Sequence, residues 1–595
     1  MMKLTRYSDS FRALSDELVI QVLHFCQYEE ILRFSATCRR YNNIIANSIG
    51  LQFHIELEVS GLEIINGLRK NATYSLLLDE LIHYRDAWLN LQFEEPIEQR
   101  SNREMLLWEL REGNYAVAFS SVPGTLLAPD SLQMSHIDFP GASNTITFHR
   151  DFHEFTFDLG QELVVLLRTD PTDNARLEIQ LCSTITRLAH PLAQNPTFIV
   201  QLDFSIPSLD QEPQAFTLEI MDNILVARIS NLMDPKYEIL AWDWKSGKLL
   251  RRIASSSGIA DFTFLDKDHL ALFSVEKYET YLRLITFSLY SLYSHTCDEI
   301  SNGSYFDVPK YANAHPILTF EFPELDNLYI VEPIGFSVRS DPTPGRAMYT
   351  RSAGFAHPTA LTFSTTISLA HIRMFDFPDD QDLFQLRVFI DAKLLLHYLL
   401  EFRGEMDTIT VPWTKWGIQT TRWFLCDQEI FYWLYWTSGS RYISVTERPG
   451  STLHDLSILD FHRPTVRRHD SSLLDYSLAS YQTTEYEEES SKIVLEGKGL
   501  IFSDCLSLDP SPLPGSTPAS LTLLAKIVDS STPTIIKKGF SVPVESRLPY
   551  RVVTKPKFVP KCQDWLIDGN HIVGTNPLHS SSGASEQIFV YKLQT

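Results

Sequence analysis

Between Ser15 and Ser48 the apolar positions recur at helical steps. Leu18, Val22 and Phe25 lie four and three residues apart, on one face of a helix. Ser15 stands at the N-cap position, and Asp16 and Glu17 follow in the first turn, where exposed N–H groups favour negative charge. The Gln27-Tyr28-Glu29-Glu30 run breaks this helix. The pattern predicts a second from about Glu30 to Arg39, carrying Ile31, Leu32 and Phe34, and a third from about Tyr41 to Ser48. Helical texture is expected to continue to Leu110, where Leu77, Leu81, Tyr84 and Trp88 form a second amphipathic stripe.

From about Tyr115 the pattern changes. Short apolar or alternating runs are split by Gly, Pro, Asp and Asn, which predicts an all-β region. Some runs recur in order: DNILVARIS then YEILAWDW, DKDHLALFS then YLRLITFSL, DGNHIVGT then QIFVYKL. The turns align in detail, Leu265-Asp266-x-x-His269-Leu270 against Ile567-Asp568-x-x-His571-Ile572, and ELVVLLR with RLEIQLC across Asp170-Pro171 reads as an earlier copy. In WDWKSGKLL a Lys-Ser-Gly turn separates two strands of a hairpin, which resembles the end of a WD-repeat blade. Divergent repeats of roughly fifty to sixty residues predict a β-propeller of seven or eight blades, with a pair of β-sandwiches as the alternative.

The 595 residues exceed one core, and with 44% hydrophobic and 21% charged residues the composition is globular. Asp and Glu total 74 against 51 Lys and Arg, a formal charge of -23, which argues against a nucleic-acid surface or an anionic membrane as partner. The 7 cysteines are scattered without a C-x-x-C pair, so reduced thiols and a cytoplasmic or nuclear location are expected. No signal peptide and no membrane-spanning run is expected, which leaves the sequons at Asn71 and Asn302 unused.

Three short helices bury only a thin core, and with no metal or disulfide in view a protein partner is the natural inference. The order Leu14-Ser15-Asp16-Glu17-Leu18, then Val22-Leu23, then Ile31-Leu32, then Thr37-Cys38-Arg39-Arg40-Tyr41 resembles an F-box. Ser15 departs from the usual proline of that motif and Tyr41 from its usual tryptophan. The resemblance implies docking on the Skp-type adaptor, and through it a cullin, of a ubiquitin ligase. Leu14, Leu18, Val22, Leu23, Ile31, Leu32 and Cys38 are then expected to form the docking surface and the helix packing behind it. IELEVSGLEIINGL with the Trp88 helix, VPWTKWGIQTTRWF and LSILDFHRPTVRRHD resemble pieces of a large fungal group of F-box proteins with a WD-repeat-like body.

The expected organisation is therefore multidomain: a small all-α F-box over 8–50, a helical linker over 51–114 and a large all-β, propeller-like body over 115–595 that presents loops to a protein substrate. No catalytic motif is found, no cofactor is called for, and the chemistry is proximity rather than bond making. A degenerate F-box serving as an end-piece of a scaffold is one alternative. A propeller hydrolase, which requires a central pocket lined by carboxylates, is another. The aromatic run Phe431, Tyr432, Trp433, Tyr435 and Trp436 is expected in the core rather than in a binding patch. The acidic run 481–491, the SPLPGSTPAS segment at Ser511 and LHSSSGASE read as loops, and Arg467, Arg468 and His469 as a charged strand end rather than a phosphate-binding group.

Overall fold

The computed structural model describes residues 14–101, 106–122, 128–139, 143–148, 150–206, 215–293, 303–340, 347–372, 383–402, 407–426, 437–447, 450–469, 523–562, 564–576 and 586–594. The aromatic run at 431–436, the acidic run at 481–491, the segment from Ser511 and most of LHSSSGASE lie outside these residues. The chain divides into two compact units. One comprises 1–94, 346–358 and 593–595; the other comprises 95–345 and 359–592.

The first unit begins with α1 (Asp16–Leu23), α2 (Tyr28–Ser35), α3 (Arg39–Asn47) and α4 (Ile49–Val59). Ser15 occupies the N-cap of α1 in extended conformation, but its hydroxyl makes no cap bond to the helix. It bonds Glu17 instead, which together with the Glu17 N–H holds that carboxyl below its ordinary range. At α2 the Gln27 N–H donates to the Glu30 carboxylate at 3.1 Å, which satisfies one of the donors a helix start leaves open. Arg40 closes the fold by donating to the Leu14 carbonyl at 2.6 Å and to Asp16 at 2.7 Å.

A longer helix, α5 (Tyr74–Leu89), carries the expected stripe: Leu77, Leu81 and Trp88 are buried, and the Thr73 hydroxyl accepts from the Leu76 N–H at its start. The expectation of continuous helix to Leu110 does not hold. Strands Glu63–Leu68, Ile97–Ser101 and Leu107–Arg111 intervene. The first of these pairs antiparallel with Ala353–Ala356, which in turn pairs with Ala347–Tyr349, so a hairpin nearly three hundred residues downstream completes this unit. Ala353 and Phe355 enter one apolar cluster with Phe53, Leu62, Leu77 and Leu81. The Arg69 N–H donates to the Ser352 carbonyl at 3.0 Å, the Ser352 hydroxyl to Glu80 at 2.9 Å, and His357 Nδ1 lies 2.8 Å from the Gly61 carbonyl.

Among its described residues the second unit holds seven sheets of four or five strands and one two-stranded ribbon. Runs of consecutive strands open these sheets at Leu107–Arg111, Glu154–Asp158, Phe216–Met221, Gly258–Asp266, Tyr329–Val331, Thr437–Ser438 and Asp564–Asp568, and the last sheet also takes an earlier strand. The repeats read from the sequence fall on them. Ile224–Asn231 pairs with Lys236–Asp243, and that strand with Lys248–Ser255 around Gly247, whose φ of +71° suits glycine. Leu163–Asp170 pairs with Asp173–Ser183, and His571–Asn576 with Glu586–Lys592.

Each sheet packs its face on the next. Shared apolar clusters join the first sheet to the second, the second to the third, the third to the fourth, the fourth to the fifth and the fifth to the sixth. Strands Thr437–Ser438 and Arg441–Thr446 of the sixth lie against Asp564–Asp568 of the seventh. The seventh then shares a cluster (Leu566, Val573, Ile588, Val590) with Leu110, Tyr115 and Val117 of the first, so the succession returns to its start. Its outermost strand is Ile97–Ser101, from the beginning of the unit, paired with Glu586–Lys592 from the end. At this seam Asp138 accepts from His571 and from Lys592, both at 2.8 Å, and the Gly113 N–H donates to Asp568 at 2.7 Å.

Among the described residues three α-helices interrupt the strands: α6 (Ala392–Glu401), α7 (Trp413–Thr420) and α8 (Arg463–Arg468). VPWTKWGIQTTRWF thus spans a strand end, α7 and the next strand, and its Trp416 and Trp423 are core side chains packed edge-on with Trp413. Arg467 and Arg468 lie in the last turn of α8 with His469 at its C-cap, a helix end rather than a strand end.

Candidate partner-binding surface

The helices of the first unit are apolar on two sides. Val19 and Leu23 of α1 point inward and join Ile31, Tyr41, Ile44, Ile45, Leu51, Ile55 and Val59 in one core. Leu18, Val22 and Phe25 are left outside, 48%, 43% and 92% exposed, and α2 adds Leu32 at 47%. A stripe of this kind is expensive to leave in water, at about 25 cal/mol for each Å² that a partner would cover.

The expected contact residues therefore separate. Leu18, Val22, Leu32 and Cys38 are exposed, the last at the N-cap of α3. Leu14 is half-buried against the core. Leu23 and Ile31 belong to the core itself, Ile31 with no exposed surface. Phe25 was not among the expected contacts although it is the most exposed of the stripe; its place seven residues along from Leu18 and three from Val22 was the available signal. Tyr41, which stands where the motif has tryptophan, is buried and stacks on Phe34 with ring centroids 4.2 Å apart. That departure falls on the packing of the helices, not on the exposed stripe.

Glutamates Glu29 and Glu30 lie in the first turn of α2, and Arg33 in its last, so charge follows the helix dipole around the apolar stripe. Behind it, the ring of His54 reaches the Cys26 carbonyl at 3.1 Å, and the Tyr28 N–H donates to Glu58 at 2.6 Å. These two bonds fix the α1–α2 turn, and with it Phe25, against α4. Burial and the neighbouring His54 hold the His24 imidazole below its ordinary pKa.

In the second unit a cavity of about 410 Å³ opens between the first two sheets, lined by Asn114, Met134, Ser135, His136, Asn144, Leu159, Thr184 and Ile185. Its lining residues include no carboxylate. Carboxylates occur instead on first strands of the sheets. Asp261 accepts from the Val338 N–H at 3.0 Å and from Arg339 at 2.5 Å, and Glu109 accepts from the Thr156 hydroxyl at 3.3 Å. None of the described cysteines forms a disulfide, and among the described residues no group of His, Cys, Asp and Glu is arranged to hold a metal.

Residues 11–51 match the F-box domain family. The chain thus consists of an N-terminal helical F-box followed by a large β-rich region of antiparallel sheets. F-box domains in general bind Skp-type adaptors of cullin ubiquitin ligases. No curated protein matches the chain. Among solved structures it is similar to a chain of the Mitotic Checkpoint Complex at 10% identity, over 62% of this chain and 81% of that one, with a TM-score of 0.26. A eukaryotic initiation factor follows at 9%, 60%, 85% and 0.24. An exo-β-1,3-galactanase from Phanerochaete chrysosporium gives 8%, 83%, 96% and 0.21. At scores this low the likenesses carry no information about function. Among the described residues no helix is long and apolar enough to cross a membrane.

Proposed function

We propose that this protein is a substrate-recognition subunit of a Skp–cullin–F-box ubiquitin ligase. The observation that carries the reading is the outward stripe Leu18, Val22, Phe25 with Leu32, on a domain that matches the F-box. The stripe, with Leu14 and Cys38 at its margins, docks on the adaptor; Leu23 and Ile31 hold the helices beneath it. The second unit is a seven-bladed β-propeller, supported by seven successive sheets, by their return to the first, and by the pairing of Ile97–Ser101 with Glu586–Lys592. It binds the substrate protein, and its work is to hold that protein near a ubiquitin-loaded enzyme, which raises effective concentration and needs no catalytic side chain. Such a complex operates in the cytoplasm or nucleus.

The test is co-purification of the full chain with a purified Skp-type adaptor. Leu18→Asp with Phe25→Asp places two charges on the exposed stripe and leaves the core intact, so binding falls at least a hundredfold while the protein stays folded. Ile31→Asp is the wrong probe, because it buries a charge in the helical core and unfolds the unit. Wild-type binding undiminished in the double variant would overturn the assignment of the surface, and a folded wild type that captures no adaptor would overturn the ligase role.

A further inference from the structure

One end of the second unit gathers the hairpin turns of five consecutive sheets. The Gly113 turn meets Asp568 of the seventh sheet, the cavity spans the first and second sheets, and the Gln161 amide donates to the Asp222 carbonyl of the third at 2.6 Å. Arg251 of the third sheet donates to the Ser291 carbonyl of the fourth at 2.7 Å, and Ser291 pairs with His269 beside the 266–268 turn, so the third and fourth sheets also meet at this end.

Two properties distinguish this end. The first is apolar exposure beside a cavity. Ile185 lines the 410 Å³ cavity and is itself 66% exposed, and Leu188 in the same loop is 63% exposed. Phe139, 65% exposed, holds its ring 5.3 Å from that of His136, another lining residue, which burial keeps below its ordinary pKa. The second is charge. Turns 112–113, 136–139, 158–162, 184–188, 222–223, 243–248, 266–268 and 568–571, with Lys592, hold nine carboxylates and five Lys or Arg; Asp568 is buried and Asp138 is paired with Lys592 and His571, and the rest still leave an acidic excess. Asp158 precedes the lining residue Leu159, and Glu162 presents its backbone carbonyl to the Thr184 N–H at 2.8 Å and its side chain to water. Potentials of like sign from adjacent turns add over the few ångströms that separate them and favour a partner of opposite sign.

We infer that this end of the unit is a docking site for an extended protein segment in which a large apolar side chain is flanked by Lys and Arg. The apolar side chain enters the cavity between Met134, Leu159 and Ile185, and the flanking cations face Asp158, Glu162 and Asp222. Asn114, Ser135, Asn144 and Thr184 offer amides and hydroxyls to the segment's backbone. As the site for a ligase substrate, this inference rests on the receptor reading above. It assigns the substrate class as basic and apolar, and it disfavours a phosphorylated segment, which the same carboxylates repel.

The experiment is fluorescence anisotropy of the full chain with three labelled peptides of about twelve residues: one with Leu and Phe between Lys and Arg, one with every Lys and Arg replaced by Glu, and one with Leu and Phe replaced by Ser. The first is expected to bind saturably and the other two at least about tenfold more weakly. Raising salt from about 0.05 to 0.3 M weakens the first by screening the carboxylates. Ile185→Arg and Glu162→Lys, both at exposed positions, each weaken it about tenfold with unchanged thermal unfolding. Equal binding of the acidic peptide, indifference to both variants, or no saturable binding overturns the inference. Adaptor capture measured on the same protein separates the two readings. Capture without preference for the basic peptide removes this inference alone, and basic-peptide binding without capture removes the ligase role alone.

Discussion

Phe355 is far from the F-box in sequence and inside the same unit in space. It has no exposed surface and packs in one cluster with Phe53 of α4, Leu62 before the first strand, and Leu77 and Leu81 of α5. Phe355→Ala removes most of the side chain the hairpin contributes to that cluster. Backbone pairing of Ile64 with Phe355 and of Glu63 with Ala356 resists collapse of the strand into the hole. The cost is therefore about 3–5 kcal/mol, the range for burying a cavity where an aromatic ring had been. Against a domain stability of about 5–15 kcal/mol this is a large fraction. Hydrogen exchange of the full chain, read by mass spectrometry, localises it. Amides of α4 and α5 should exchange at least about a hundredfold faster, since 3 kcal/mol exceeds two factors of ten. Peptides from the seven sheets should be unchanged. Unaltered protection in α4 and α5, with losses instead in the sheets flanking the hairpin, would show that residues 347–356 do not hold the helical unit together. A fragment ending near residue 110 lacks the strand that completes its own sheet.

Further outcomes follow from the second unit. Glu154 is half-buried by accessible surface, yet the protein packed around its carboxyl desolvates it and, with Glu109 nearby, pushes it up to about 8, while the Phe155 N–H, Arg228 and Arg339 oppose the rise. The folded state therefore holds a proton that the unfolded chain releases near the ordinary value of 4.5, and stability falls as pH rises from there to about 8. Glu154→Gln should flatten that part of the pH–stability profile and stabilise the protein at pH 8; an unchanged slope in chemical denaturation would count against it. In α7 a Cβ on Gly417 would fall within the Trp413 ring, which Trp416 and Trp423 hold from other sides. Gly417→Ala should cost about 1–3 kcal/mol by overpacking, seen as a lower midpoint of thermal unfolding, and an unshifted midpoint would mean the ring moves freely.

Much of this was legible along the chain. The spacing of Leu18, Val22 and Phe25, the acidic first turns and the Ser15 N-cap position placed α1, and Leu77, Leu81 and Trp88 placed the buried face of α5. The recurring Asp-x-x-His turns fell on real hairpins, but their two copies do different things. His269 bonds Asp266 within its own turn at 2.9 Å, whereas Asp568 and His571 are taken by Gly113 and Asp138 of another sheet. Local sequence specifies a turn; which neighbour its polar atoms meet depends on what the fold brings alongside.

Local periodicity by itself determined which residues share a face: helical at the start, short strands thereafter, because a helix repeats every 3.6 residues and a strand every two. It could not say which apolar face the chain covers for itself. On α1 both faces are apolar, and only the packed structure sends Val19 and Leu23 inward while leaving Leu18, Val22 and Phe25 exposed, just as it places Ile31 in the core. Tertiary structure alone also decided the pairings of greatest sequence separation, Glu63–Leu68 with Ala353–Ala356 and Ile97–Ser101 with Glu586–Lys592. A strand's side-chain pattern records that one side is buried, but its backbone N–H and C=O groups are the same in every strand, so the partner they find is set by the whole fold and not by the segment that carries them.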